Sequence, residues 1–157
     1  MPKITALIHT HNDGAHIGRT LDSLRPCDQV LVIDRASDDN TGEIAREHGA
    51  EVKTALPGVD AGAYALDARH KWILCLLPTE ALSEGLEAAL FEWKQQEPDD
   101  SVIGYSVRVR DNTEDGWKIS GRETRLVNRE RINWTDRLPP HIDNAPQLTG
   151  DLLRFRD

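Results

Sequence analysis

Between residues 4 and 54 the chain alternates two hydrophobic periods, and this alternation constrains the fold more than any other feature. The apolar run I-T-A-L-I-H is followed by Ile17, Leu21 and Leu24 at helical spacing. V-L-V-I-D and a second helical stretch come next, and E-V-K reads as a third short strand. The second helix carries its own punctuation: Asn40 with Glu43 three residues on has the form of a capping box, and Gly49 supplies a left-handed stop. Strands that alternate with helices at this interval predict a parallel sheet with right-handed crossovers and helices packed on its faces.

Downstream, A-G-A-Y-A-L-D-A-R predicts a helix of small residues close to the sheet. Trp72 to Leu77 is a continuous apolar run of the buried parallel kind. Leu82, Leu86, Leu90 and Trp93 predict an amphipathic helix that ends before Pro98. After Pro98 the period changes to two. Ile103, Tyr105, Val107 and Val109 alternate with smaller or charged residues, D-N-T-E-D-G-W reads as a hairpin loop, and R-E-T-R-L-V-N-R-E reads as a further strand. The segment from Pro139 onward gives no clear pattern. One domain is expected, with a mostly parallel half over 1–97 and an antiparallel half over 98–157.

A chain of 157 residues can bury a single core without disulfides or metal staples. Cys27 and Cys75 have no metal-type spacing and read as reduced structural thiols. The formal net charge of −8 argues against nucleic acid as a partner, because a phosphate-backbone binder needs a positive surface. No apolar run approaches the ~20 residues that cross a bilayer. The N-terminus reads as a first strand, not as a signal peptide, so a cytoplasmic location is expected.

In an open parallel sheet, ligands bind beyond the carboxyl ends of the strands. The candidates are therefore His9, Thr10 and His11 after the first strand, Asp34, Arg35 and Ser37 after the second, and Leu77 to Glu80 after the Trp72 strand. Asp34 with Ser37 can hydrogen-bond a base and a ribose; the same pair can simply shape the turn. Arg69, His70 and Lys71 precede their strand and belong to the opposite edge.

Three stretches carry a resemblance: I-T-A-L-I-H-T-H-N-D; D-Q-V-L-V-I-D-R-A-S-D-D-N-T-G-E-I-A-R-E-H-G-A-E-V; and W-I-L-C-L-L-P-T-E-A-L-S-E-G-L, continuing to R-L-V-N-R-E-R-I-N-W. Together they resemble glycosyltransferase family 2, the inverting enzymes of the GT-A fold, over nearly the whole chain. The resemblance implies a nucleotide-diphospho-sugar transferase architecture, three layers α/β/α around a mostly parallel sheet with a C-terminal antiparallel part. It implies transfer from a nucleotide sugar to a glycan or lipid-linked acceptor in surface polysaccharide assembly, and it leaves peripheral membrane association open. Thr10 and Asp34 fall where the family holds the base, and Asn12 with Asp13 fall on its Asn-Glu turn.

The family closes its central strand with W-x-L-x-L-D-A-D-E, whose aspartates contact the sugar nucleotide and a divalent metal. Here Leu77 and Thr79 stand in the two aspartate positions and only Glu80 is kept. Mg²⁺ and Mn²⁺ want hard oxygen ligands that leucine cannot supply. No metal cofactor is therefore expected, and fixed cations, Arg35 with Arg122 or Arg125, are the candidates to offset a diphosphate. Inverting transfer also needs a general base. The family's late His-Glu pair corresponds to P-P-H-I-D, which keeps His141 and places Ile142 in the acidic position, with Asp143 or Asp136 as substitutes.

Two other functions compete. A GT-A-like domain without transfer activity, serving as a nucleotide-binding or partner-binding module, accounts for the same departures at Leu77, Thr79 and Ile142. A metal-dependent hydrolase would use His9 and His11, which project from one strand face at i and i+2, with Asp13 nearby.

Overall fold

The computed structural model describes residues 1–156. Its element order is β1 (Ile4–Thr10), α1 (Ile17–Asp22), β2 (Gln29–Asp34), α2 (Thr41–Glu47), β3 (Glu51–Thr54), a 3₁₀ segment (Ala61–Asp67), β4 (Trp72–Leu76), β5 (Glu80–Leu82), α3 (Glu84–Trp93), β6 (Gly104–Thr113), β7 (Gly116–Asn128) and β8 (Gln147–Arg154). All eight strands lie in one sheet of order β3-β2-β1-β4-β7-β6-β8-β5. The first four positions are parallel, with β1 central between β2 and β4, as the alternating periods predict.

Side-chain alternation on the central strands divides the core. Ile4, Ala6, Ile8, Trp72, Leu74 and Leu76 face α1, α2 and α3, whereas Leu7, Leu31, Ile33, Ile73 and Cys75 face the other way, toward Tyr64, Ala65 and Ala68. The second face carries no α-helix among the described residues. Its cover is the 3₁₀ segment together with Ile132, Trp134, Leu138 and Ile142 from the irregular chain after β7. Where a helix of small residues was expected, the chain forms only this 3₁₀ turn. Gly62 is one reason for the close fit, since a Cβ there would stand 2.0 Å from the Trp134 carbonyl oxygen.

The expected stop at Gly49 is present, with φ of +84° and its N–H donating to the Arg46 carbonyl at 2.9 Å. The capping box is not. The Asn40 side chain makes no cap bond; the Asp39 carboxylate accepts the Thr41 N–H instead, at 3.0 Å. The unpatterned C-terminal segment contains β8, which runs parallel to β6 and antiparallel to β5. Gly150 breaks its pattern with φ of +85° and lets α3 approach. The C-terminal half is thus antiparallel through β4-β7-β6 and mixed beyond.

Candidate functional site

At the carboxyl rim, two short turns interlock. Thr10 is buried, and its hydroxyl donates to Asp13 Oδ2 at 2.6 Å, which also accepts the His11 N–H. Asp34 is level with Thr10 in the parallel register, and its Oδ1 accepts both the Ser37 N–H and the Ser37 hydroxyl. Asn12 ties the turns together: its N–H donates to Ser37 Oγ at 2.9 Å and its Oδ1 accepts the Asp38 N–H at 2.7 Å. Asn12 and Ala36 both sit at left-handed φ, +54° and +55°. Alanine gains nothing from that conformation, so the surrounding hydrogen bonds hold it there. Thr10, Asn12, Asp34, Arg35 and Ser37 are accordingly brought together, as the sequence predicts, with Asp34 Oδ2 outside the Ser37 turn.

Glu80 and Arg125 leave the ligand-binding set. Both side chains are fully buried and joined by a two-pronged ion pair of 2.6 and 2.8 Å. Glu80 also accepts from Leu77 N–H at 2.8 Å and from Arg154 Nε at 3.1 Å, which fills the roughly four acceptor sites of a carboxylate. Arg125 directs its remaining N–H groups to the Cys75 carbonyl and to Glu123. Neither has capacity left for a diphosphate or a metal. Arg122 is likewise engaged, bonded to Ser106 and to the Leu148 carbonyl. Arg154 extends the network to Glu123 and Asp111; it lies in the unpatterned segment, where no period marks its position.

The rim segment between Leu77 and Glu80 is fixed from three sides. Thr20 donates to the Pro78 carbonyl at 2.8 Å, the Phe155 N–H donates to the Thr79 carbonyl at 2.9 Å, and Glu80 N–H closes back on Leu77. Among the described residues no group of three His, Cys, Asp or Glu is placed to hold a metal ion. With Glu80 saturated and no carboxylate at 77 or 79, the residues of this rim do not fit a divalent cation.

His9 and His11 do not form a metal pair. His9 is buried against Tyr64 with ring centroids 5.9 Å apart. Its burial, reinforced by the Arg35 charge, lowers its pKa to about 4, so the ring is neutral at pH 7. The His11 ring instead bonds the Arg35 carbonyl and the Asn12 amide. Cys27 and Cys75 are free thiols whose pKa burial pushes up to about 12, as inert structural cysteines require.

Beside the interlocked turns a cleft of 550 Å³ opens between Arg35, Val59, Asp60, Ala61 and the loop Thr135 to Leu138. Arg35 donates to His9 Nδ1 at 3.5 Å, and His9 feels the charges of both Arg35 and Arg137. Neither arginine forms an ion pair among the described residues, unlike Arg25, Arg69, Arg108, Arg125 and Arg154. Asp136 lines this cleft; His141 and Asp143 do not. Those two pair with each other at 3.2 Å on an exposed loop. Arg137 was missed in the sequence because no periodic element announces its loop.

The fold matches that of solved glycosyltransferases. A mannosyltransferase from Pyrobaculum calidifontis, solved with GDP-mannose and Mn²⁺, superposes with a TM-score of 0.54 at 18% identity, over 68% of this chain and 35% of that one. Mannosyl-3-phosphoglycerate synthase from Rubrobacter xylanophilus gives 0.52 at 20% identity, over 73% and 42%. The chain has the GT-A glycosyltransferase fold. At the sequence level this GT-A chain is 32% identical over 113 residues to an uncharacterized glycosyltransferase of Rickettsia felis, covering 69% of its own length and 40% of the relative. The counterpart in Rickettsia prowazekii is 30% identical, with 69% and 39% covered. The GT-A chain thus spans about two-fifths of the length of the curated relatives it matches. No family model matches it.

Proposed function

We propose that this chain is the donor-engaging part of a family 2 glycosyltransferase-type protein, binding a nucleotide sugar along the carboxyl rim with its diphosphate beside Arg35 and Arg137 in place of a divalent metal. The carrying observation is the cleft lined by these two arginines, neither in an ion pair among the described residues, beside the Asp34 to Ser37 turn. Two guanidinium groups with no ion-pair partner among the described residues offer charge-assisted donors to the oxygens of a diphosphate. Asp34, with Oδ2 outside the turn, is the group for the base or ribose, and Asp136 is the carboxylate nearest in kind to the acceptor's general base. The acceptor in this reading is a glycan or lipid-linked glycan of a surface polysaccharide.

A second reading, nucleotide binding without transfer, is favoured by one observation: the family's His-Glu pair corresponds to His141 and Ile142, and His141 with its neighbour Asp143 stands outside the cleft. Calorimetric titration with UDP, GDP and dTDP, each with and without Mn²⁺, tests the binding step. One nucleotide is expected to bind equally with and without metal, and Arg35→Ala with Arg137→Ala is expected to abolish it. Binding that requires Mn²⁺, or that survives both substitutions, overturns the proposal. Sugar release from the matching donor, present in the wild type and absent in Asp136→Asn, separates transfer from binding alone.

A further inference from the structure

The triplet Arg69, His70 and Lys71 has no part in the rim, yet it opens onto a cleft of 620 Å³ at the amino-terminal ends of β1 and β4. From the carboxyl rim it is separated by the length of β4, roughly 15 Å. Lys3, His70, Lys71, Trp72 and Arg129 line it. From this arrangement we propose that the cleft is an anion site for a phosphoryl group, held by Lys3, His70 and Arg129 from different sides.

Three observations carry it. First, the cations are incompletely neutralised. Lys3 has no ion pair among the described residues, and Arg129 directs Nη1 to the Ala65 and Ala68 carbonyls and meets no carboxylate. Of the acids lining the cleft, Asp100 is taken by Lys71 at 3.3 Å and Glu97 by the Met1 ammonium at 3.3 Å, which leaves Glu130. Second, Trp72 forms part of the cleft wall and is held there by edge-to-face packing on Trp93, ring centroids 5.2 Å apart; its indole N–H is enclosed, so it reports on the cleft without bonding a ligand in it. Third, burial is the main cause that lowers the His70 pKa below its ordinary value, with Lys3, Arg69 and Arg129 close enough to act the same way and Asp28 opposing them. The neutral ring then offers a single N–H donor. Guanidinium, ammonium and imidazole donors from separate elements suit the several oxygens of a tetrahedral phosphoryl group better than a planar carboxylate.

Two sources share this chemistry, a soluble phosphomonoester and a phosphate-bearing lipid headgroup. Residue-resolved NMR titration of the chain with glycerol 3-phosphate, paired with sedimentation against vesicles of phosphatidic acid in phosphatidylcholine, distinguishes them. Saturable shifts of the Trp72 indole and the Lys3, His70 and Lys71 amides are expected, about tenfold weaker in Lys3→Glu with His70→Ala. They are expected to persist in Arg35→Ala with Arg137→Ala, so that this site stands or falls apart from the rim. Shifts without vesicle retention assign a soluble ester; retention on phosphatidic acid vesicles, lost in Lys3→Glu and absent on pure phosphatidylcholine, assigns a headgroup. If neither probe perturbs these four residues saturably, or if the variants bind as the wild type does, the site does not exist.

Discussion

At residue scale, the decisive side chains are those the fold has already saturated. Glu80 and Arg125 form a buried pair whose hydrogen-bonding capacity is filled internally, so their value is structural. Removing one partner leaves a buried charge with part of its compensation gone. Arg125→Ala is expected to cost about 3–5 kcal/mol, and Arg125→Met with Glu80→Leu considerably less, because well-packed apolar groups escape the desolvation cost. Urea denaturation checks this; a single substitution that costs under about 1 kcal/mol contradicts the burial argument. His9 yields a second prediction, in pH. Its folded pKa of about 4 lies below the unfolded value near 6.5, so the unfolded chain binds the extra proton between them. Stability is therefore full above pH 6.5 and declines as pH falls toward 4, by on the order of 3 kcal/mol in total. Denaturant midpoints measured between pH 7 and pH 5 are expected to decline in the wild type and to flatten in His9→Leu. Equal slopes would show that His9 does not titrate in this window.

At element scale, the legibility of the sequence follows from how each element earns its stability. β1 to β4 were readable because a strand buried on both faces must be apolar throughout, and the helices between them must show a stripe. The rim turns were readable as positions for the same reason, since they follow those strands. The 3₁₀ segment was not. Its small residues suit a helix by propensity, but the Trp134 carbonyl closes on Gly62 and leaves no room for a full helical turn there. Nor was β8, because Gly150 interrupts the alternation that marks a strand. The interruption serves packing: a Cβ at Gly150 would lie 2.3 Å from the Leu86 amide nitrogen, at the start of α3, and φ is +85°. Gly150→Ala is expected to destabilise by about 2 kcal/mol or more, through strain and a backbone clash that no rotamer relieves. Because β8 carries Arg154 to Glu80 and Phe155 to Thr79, the same change is expected to loosen the rim. Hydrogen exchange read at the Phe155 and Leu77 amides tests that coupling; unchanged protection there would separate β8 from the rim. Arg137 escaped notice, and Asp136 could not be chosen over Asp143, for a related reason, since an irregular loop has no period from which its direction can be read.

At the scale of the whole molecule, one continuous sheet joins the two halves. β4 pairs with β1 on one side and β7 on the other, and β8 carries the ladder through to β5. Eight strands in one ladder, with a core on each face, imply a single cooperative unfolding step and no separable donor half. A ligand at the rim then stabilises the entire domain, by RT ln(1 + [L]/Kd), about 2.7 kcal/mol at one hundred times Kd. For a chain of this size that corresponds to a rise in Tm of about 5–10 °C. On the proposed cationic reading, the nucleotide selected by calorimetry is expected to shift one sharp transition by this amount, equally with EDTA and with Mn²⁺, because Glu80 is committed to Arg125 and Arg154. Differential scanning calorimetry decides between the outcomes. Two resolved transitions, with only the first moved by nucleotide, would mean that residues 1–97 respond alone and that the β4-β7 seam transmits little. A shift that appears only with Mn²⁺ would mean that the rim rearranges to recruit carboxylates now committed to Arg125 and Arg154, and the cationic account of the diphosphate would have to yield.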